Sequence, residues 1–129
     1  MAPVRWIVDA SNVIGSRPDG WWHDRDRAAR RLADDVTAWA AVTGSSVTLV
    51  LDRPVAGLEP GLHDGVTVAV ARWRGRDAAD HEIVWIVEED AEPGTLRVVT
   101  SDRRLRERVE ALGGRVVSSL RFRTDLDRS

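Results

Sequence analysis

The chain contains no cysteine. Disulfides, thiolate metal sites and cysteine nucleophiles are thereby excluded, and any metal must be held by oxygen or histidine. Lysine is also absent, all 19 cationic side chains being arginine. A P-loop, whose lysine reaches the nucleotide phosphates, is therefore excluded, as is a Schiff-base amine. A receiver-type acidic pocket would carry a lysine too. There is no tyrosine and one phenylalanine, so six tryptophans make up almost the whole aromatic inventory. No apolar run approaches the roughly 20 residues that cross a bilayer, and the N-terminus lacks the basic-then-apolar pattern of a secretory signal. The expectation is a cytoplasmic protein with no membrane contact. At 129 residues, 43% hydrophobic and 31% charged, one globular domain spanning residues 1–129 is expected, because chains of this length close a single core.

What the sequence does have is a repeating rhythm. Residues 4–9 (VRWIVD), 46–52 (SVTLVLD), 66–71 (VTVAVA), 96–100 (LRVVT) and 115–118 (RVVS) are short valine-rich runs of strand length. Helical stripes lie between most of them: Ala28, Leu32, Val36, Trp39 and Val42; then Ala79, Ile83, Ile86 and Val87; then Leu105, Val109 and Leu112. Gly44 and the Gly113–Gly114 pair fall where helix C-caps belong. Strands alternating with helices predict an α/β fold, a doubly wound, mostly parallel five-stranded sheet with helices on both faces. The link at residues 53–65 (RPVAGLEPGLHDG) is rich in proline and glycine, so any helix there is short or absent.

In such a sheet, functional groups gather outside the carboxyl ends of the strands. Aspartates cluster there: Asp9 ends the first run, Asp52 the second, Asp102 follows the fourth, and Asp77 and Asp80 open a helix one turn apart. Two carboxylates about 5 Å apart repel by roughly 3 kcal/mol at an effective dielectric near 20. A convergent set therefore needs a cation, and oxygen ligands without thiolates favour magnesium or manganese. Phosphodiester hydrolysis uses that arrangement. Each acid also has a structural reading. Asp77 and Asp102, with Ser101 beside it, suit helix N-caps, Asp80 suits a first turn, and Asp52 before Arg53–Pro54 suits a turn. Asp9 ends an apolar run with no obvious helix after it, and Asn12 is placed to orient a water or a carboxylate.

At these residues the sequence resembles a known family. VDASNVIG (residues 8–15), AADHEI (78–83) and VVTSDRRLRERVEALGGRVVSS (98–119) look like the YacP-like branch of the NYN domain family, relatives of the PIN-domain ribonucleases. The likeness runs in order over nearly the whole chain. It implies a PIN-like fold and a metal-dependent endoribonuclease using Mg2+ or Mn2+. Asp9 and Asn12 match the first-strand D-x-x-N, Asp80 the aspartate opening the helix before the fourth expected strand, and Asp102 the T-S-D aspartate. Asp52 sits where relatives often end the second strand in an aspartate, and Asp77 is extra.

The net charge is −2. With Asp9, Asp52, Asp80 and Asp102 assigned to metal, nineteen arginines face seventeen remaining acids, and substrate grip falls to arginine alone. Arg17, Arg25, Arg53, Arg72, Arg74, Arg76, Arg103 and Arg104 lie in or beside the expected catalytic-end loops, where phosphates would be met. RWRGR (72–76) is the best candidate for backbone binding, with Trp73 either stacking on a base or packing in the core. Trp6, Trp39 and Trp85 are expected to pack. Trp21 and Trp22 either line a substrate groove or cover the start of the first long helix. His23, His63 and His81 have no metal-ligand spacing.

The combined expectation is an endoribonuclease that hydrolyses single-stranded RNA. Asp9, Asp80 and Asp102 hold metal with Asp52 as an extra ligand, Asn12 assists, and Arg72, Trp73, Arg74, Arg76, Ser101, Arg103 and Trp22 contact substrate. Two rivals stand beside it: a module that binds RNA or a ribosomal partner without cutting, and a metal-dependent phosphohydrolase of nucleotides.

Overall fold

The computed structural model describes residues 3–128. Six strands form one sheet: β1 (Arg5–Asp9), β2 (Ser46–Leu51), β3 (Gly61–His63), β4 (Val66–Val70), β5 (Leu96–Val99) and β6 (Arg115–Val117), in spatial order β3-β4-β2-β1-β5-β6. All neighbours are parallel except β3 and β4. Five helices accompany them: α1 (Ala10–Ile14), α2 (Arg25–Thr43), α3 (Ala78–Glu88), α4 (Arg103–Ala111) and α5 (Ser119–Arg128). Among the described residues no helix is long and apolar enough to cross a membrane.

The valine runs become central strands because both of their faces are buried. Val8, Leu49 and Leu51 face α1, α2 and α5, whereas Ile7, Val50 and Val98 face α3 and α4. The only phenylalanine, Phe122, joins α5 to the core: its ring lies 5.1 Å from Trp39 and 6.0 Å from Trp6, and those two indoles meet edge-on at 5.2 Å. Two of the three tryptophans expected to pack do so.

All five expected strands form, within a residue or two at their ends, and the sheet is doubly wound. A sixth strand is added in the proline- and glycine-rich link, which has no helix. There β3 folds back antiparallel on β4 through Asp64 (φ 50°) and Gly65 (φ 86°). Positive φ at both central residues defines the twist-compatible two-residue hairpin turn for which Asp-Gly is a preferred pair. Two helices also exceed the expectation: five-residue α1, which begins directly after Asp9, and α5, which the sequence pattern left unread. In α2 the apolar stripe ends at Trp39, since Val42 is exposed.

The chain leaves β1 toward β2 on one side, and β5 lies on the other. The crevice between the carboxyl ends of β1 and β5 is thus the switch point at which ligands bind in open α/β sheets. Asp9 ends β1, and Thr100-Ser101-Asp102 follows β5.

Candidate active site

Asp9 is 3% exposed. Although it occupies the N-cap position of α1, its side chain makes no cap hydrogen bond. Its Oδ2 instead accepts from the Thr100 hydroxyl at 3.2 Å. Burial, then the charge of Asp80, pushes the carboxyl up to about 7; the Thr100 hydroxyl and the Asn12 backbone N–H oppose this, and Asp102 adds to the rise. Asp80, in the first turn of α3, is also raised, by burial first and then by Asp102 and Asp77, with His81 and Arg108 acting in the opposite sense. Asp102 is the N-cap of α4, its Oδ1 accepting from the Leu105 N–H at 2.9 Å. The cap engages only Oδ1 and leaves Oδ2 outside it. Asp77 stands at the N-cap of α3 without a cap hydrogen bond.

Asp9, Asp80 and Asp102 thus feel one another from three separate stretches of chain. Among the described residues none of them, nor Asp77, enters an ion pair. Asp52 does not join them. The bend after Leu51 turns it to the α1/α2 side, where it lines a hollow of about 120 Å3 with Ser11, Ile14, Arg25 and Ala29. Asp9 shares its sheet face with Ile7 instead, toward α3 and α4. Asp52 is therefore corrected from fourth ligand to a residue of another hollow.

The Asn12 side-chain oxygen is taken up by the chain itself. It accepts from the Ser101 N–H at 2.7 Å and the Ser119 hydroxyl at 2.6 Å, and the Ser119 N–H donates to the Ser101 Oγ at 3.0 Å. These bonds lock α1, the loop after β5 and the start of α5 together beneath the acids. Ser101 is exposed, with its N–H and Oγ both engaged in these bonds. Thr100 and Ser119 were not singled out from sequence. Thr100 is the threonine of the T-S-D motif, and it bridges the two acids: its hydroxyl donates to Asp9 while its Oγ1 accepts from the Asp102 N–H at 3.2 Å.

The expected arginines divide into two groups. Arg17, Arg53, Arg72 and Arg103 are paired with Asp127, Asp26, Glu82 and Glu107. The Arg103 pair is exposed and weak, so that guanidinium stays available. Arg72 is corrected to a structural role. Its backbone N–H and Nε donate to Glu82 Oε1 at 3.1 and 3.2 Å, its Nη2 donates to Oε2 at 3.2 Å, and its guanidinium carbon sits 3.7 Å from the Trp85 ring centroid. Glu82, 5% exposed, demands this partner, because a buried carboxylate without a counter-charge is costly. Trp85 is consequently part-exposed with its face covered by Arg72, rather than packed in the core. Arg72→Ala is expected to lower stability by roughly 2 kcal/mol, less than a fully buried pair would lose because Arg72 itself is half exposed. Urea denaturation checks this, and Glu82→Gln in the same background should restore about half.

Arg74 and Arg76 are exposed and carry no ion pair among the described residues. Trp73 is exposed beside them, 5.9 Å from the His81 ring. Trp22 is 52% exposed and meets Trp21 edge-on, whereas Trp21 packs against the core.

Among the described residues no three histidine or acidic side chains are grouped closely enough to be read as a ready-made metal cage. The donor chemistry nevertheless fits a hard divalent cation: oxygen ligands, mutual repulsion that raises two of them, and, among the described residues, no ion pair to any of the three, Arg108 and His81 only partly offsetting the charge at Asp80. Magnesium characteristically uses one or two carboxylates and keeps several waters.

An open, doubly wound α/β sheet with acids gathered at its switch point belongs to the class of α/β folds that bind ligands outside the carboxyl ends of their strands. The chain belongs to the YacP-like NYN domain family, whose model matches residues 6–129. NYN domains are PIN-like nucleases, so the coarse function is nuclease-type and RNA-related. Two solved structures share the fold. Rae1 (YacP) from Bacillus subtilis is 21% identical, with a TM-score of 0.72 over 96% of this chain and 74% of that one. A single-substitution mutant of it is 20% identical, with a TM-score of 0.72 over 95% and 74%. No curated protein sequence matches the chain.

Proposed function

We propose that the protein is a metal-dependent endoribonuclease that hydrolyses single-stranded RNA, with Asp9, Asp80 and Asp102 holding Mg2+ or Mn2+. The observation that supports this reading is the mutual electrostatic influence of three acids from β1, α3 and the β5–α4 junction, none of them in an ion pair among the described residues. A bound divalent ion supplies charge neutralisation and polarises water and phosphate. The chain's own residues do the rest. Thr100 fixes Asp9 relative to Asp102, Asn12 fixes the loop that carries Asp102, and Arg74, Arg76 and Arg103 face the polyanion from the rim. Trp73 and Trp22 offer indole faces for unpaired bases. Asp9, raised to about 7, must lose its proton to bind a cation, so metal affinity rises with pH up to that value and levels off above it.

The test is incubation of labelled RNA with purified protein and Mn2+, with EDTA as control. Single strands should be cut and free nucleotides left intact. Hydrolysis of nucleotides but not oligonucleotides would mean a phosphohydrolase. That no compact metal cage stands among the described residues favours one second reading, an RNA-holding module; RNA retention in EDTA, with no cleavage under any divalent ion, would establish it.

A further inference from the structure

Helix α4 carries four arginines but only two glutamates. Two of the arginines are answered within the helix, Arg103 by Glu107 at 3.3 Å and Arg106 by Glu110 at 3.2 Å. Arg104 and Arg108 are not. Both are exposed, and neither enters an ion pair among the described residues. From this we infer that Arg104 and Arg108 form a phosphate clamp, gripping an RNA strand at the phosphates beside the one that meets the acids. That neighbouring position rests on the nuclease reading; the grip on a strand does not.

The arrangement is local and one-sided. Leu105 and Val109 are buried in the core beneath α3 and α4, and at about 100° per residue Arg104 and Arg108 lie one step round the helix from them. They therefore share one flank. That flank looks toward the acids, because Arg108 stands close enough to Asp80 for its charge to offset part of that carboxyl's rise. Arg104 lies one turn nearer to Asp102, which caps the same helix. Both guanidiniums thus belong to the α3/α4 side of the sheet, the side to which Asp9 is turned with Ile7.

Like charges at i,i+4 destabilise a helix. In α4 that repulsion is left unanswered on the flank beside the acids, while the other two arginines each have a glutamate. A strand of phosphates answers it. The two side chains start about 6 Å apart along the axis, which suits successive phosphates of an extended strand, and a guanidinium offers each a planar fork of donors. Their exposure leaves those donors open to a ligand. Arg108 lay outside the sequence expectation because it sits within a helix rather than in a loop.

Binding of a fluorescein-labelled hexauridylate to the full chain carrying Asp9→Asn, in EDTA, separates grip from cleavage. In that background Arg104→Ala/Arg108→Ala should weaken binding about tenfold at low salt. It should also flatten the slope of log K against log salt by about 1.4, since each phosphate contact on a single strand contributes roughly 0.7. Melting curves should show a variant at least as stable as its parent, because the repulsion along α4 is relieved. The control pair Arg106→Ala/Arg115→Ala removes the same charge from the other flank of α4 and from the amino end of β6, and should move both readings far less. A parent chain that binds no hexauridylate, unchanged affinity and slope in the Arg104/Arg108 variant, or an equal loss in the control pair overturns the clamp. Failure of the nuclease reading looks different: the wild-type chain with Mn2+ leaves RNA intact while the salt slope still depends on Arg104 and Arg108.

Discussion

Asp9→Asn is expected to abolish the proposed RNA cleavage and to make the metal-free protein more stable. Both effects come from the same burial. The Asp9 carboxyl rises from 3.8 to about 7 on folding, so between those values the unfolded chain releases a proton that the folded chain keeps. Stability contributed at this position is therefore full below about pH 4, falls as pH rises toward 7, and is flat above. An uncharged, nearly isosteric asparagine escapes that loss. At pH 8 in EDTA the variant should gain roughly 2–4 kcal/mol, on the order of 10 °C in melting temperature, and the gain should vanish near pH 4. Cleavage should fall at least about 1,000-fold in the same preparation. Thermal scans across pH with a matched RNA assay test both; a variant that is less stable at pH 8, or still cleaves with Mn2+, removes Asp9 from the centre of the site.

Asn12→Ala has the opposite sign in stability. It strands the buried Ser119 hydroxyl and hands the exposed Ser101 N–H to water, costing roughly 1–2 kcal/mol. The loop that carries Asp102 is then no longer fixed to α1, and a shift of about 1 Å is enough to lower turnover on the order of 100-fold. Asn12→Asp keeps the acceptor and should recover most of the stability. It also adds a charge beside Asp9, so the pH at which metal binding is half-maximal should move upward. Melting curves, turnover and a pH profile of Mn2+ binding distinguish this positioning role from simple packing, because Ala lowers stability and turnover together whereas Asp shifts the profile.

How much of this was legible before the fold was known depends on how locally each feature is encoded. The runs that become β1, β2 and β5 bury both faces, and an apolar string of that kind is visible in any window; the run of β6 was readable from its valines alone, although it lies at the sheet edge. Strand β3 is exposed at all three residues, so hydrophobicity carried no trace of it, although Asp64–Gly65 was a turn signal that could have been used. Helix α1 is too short for periodicity, and in α5 the informative pair Phe122 and Leu126 is preceded by exposed Leu120. At the site, Asp9, Asp80 and Asp102 were readable because strand ends and helix starts gather in one crevice. Asp52 misled because the direction of a bend is set by tertiary packing, not by the residues before it. Ser101 and Arg72 looked available because their partners, Asn12 and Glu82, meet them only after folding; Glu82 lies ten residues from Arg72, yet nothing in the local pattern marks it as buried.

The two rims of the sheet have a consequence for handling the molecule. Both outermost strands, β3 and β6, are three residues long, and the first is bent by its tight hairpin. A second copy arriving edge-on finds too short a row of free amides and carbonyls to template further pairing. Concentrated stocks should accordingly resist fibrous stacking, and the long, sticky central ribbons stay sealed for as long as the termini of the sheet hold.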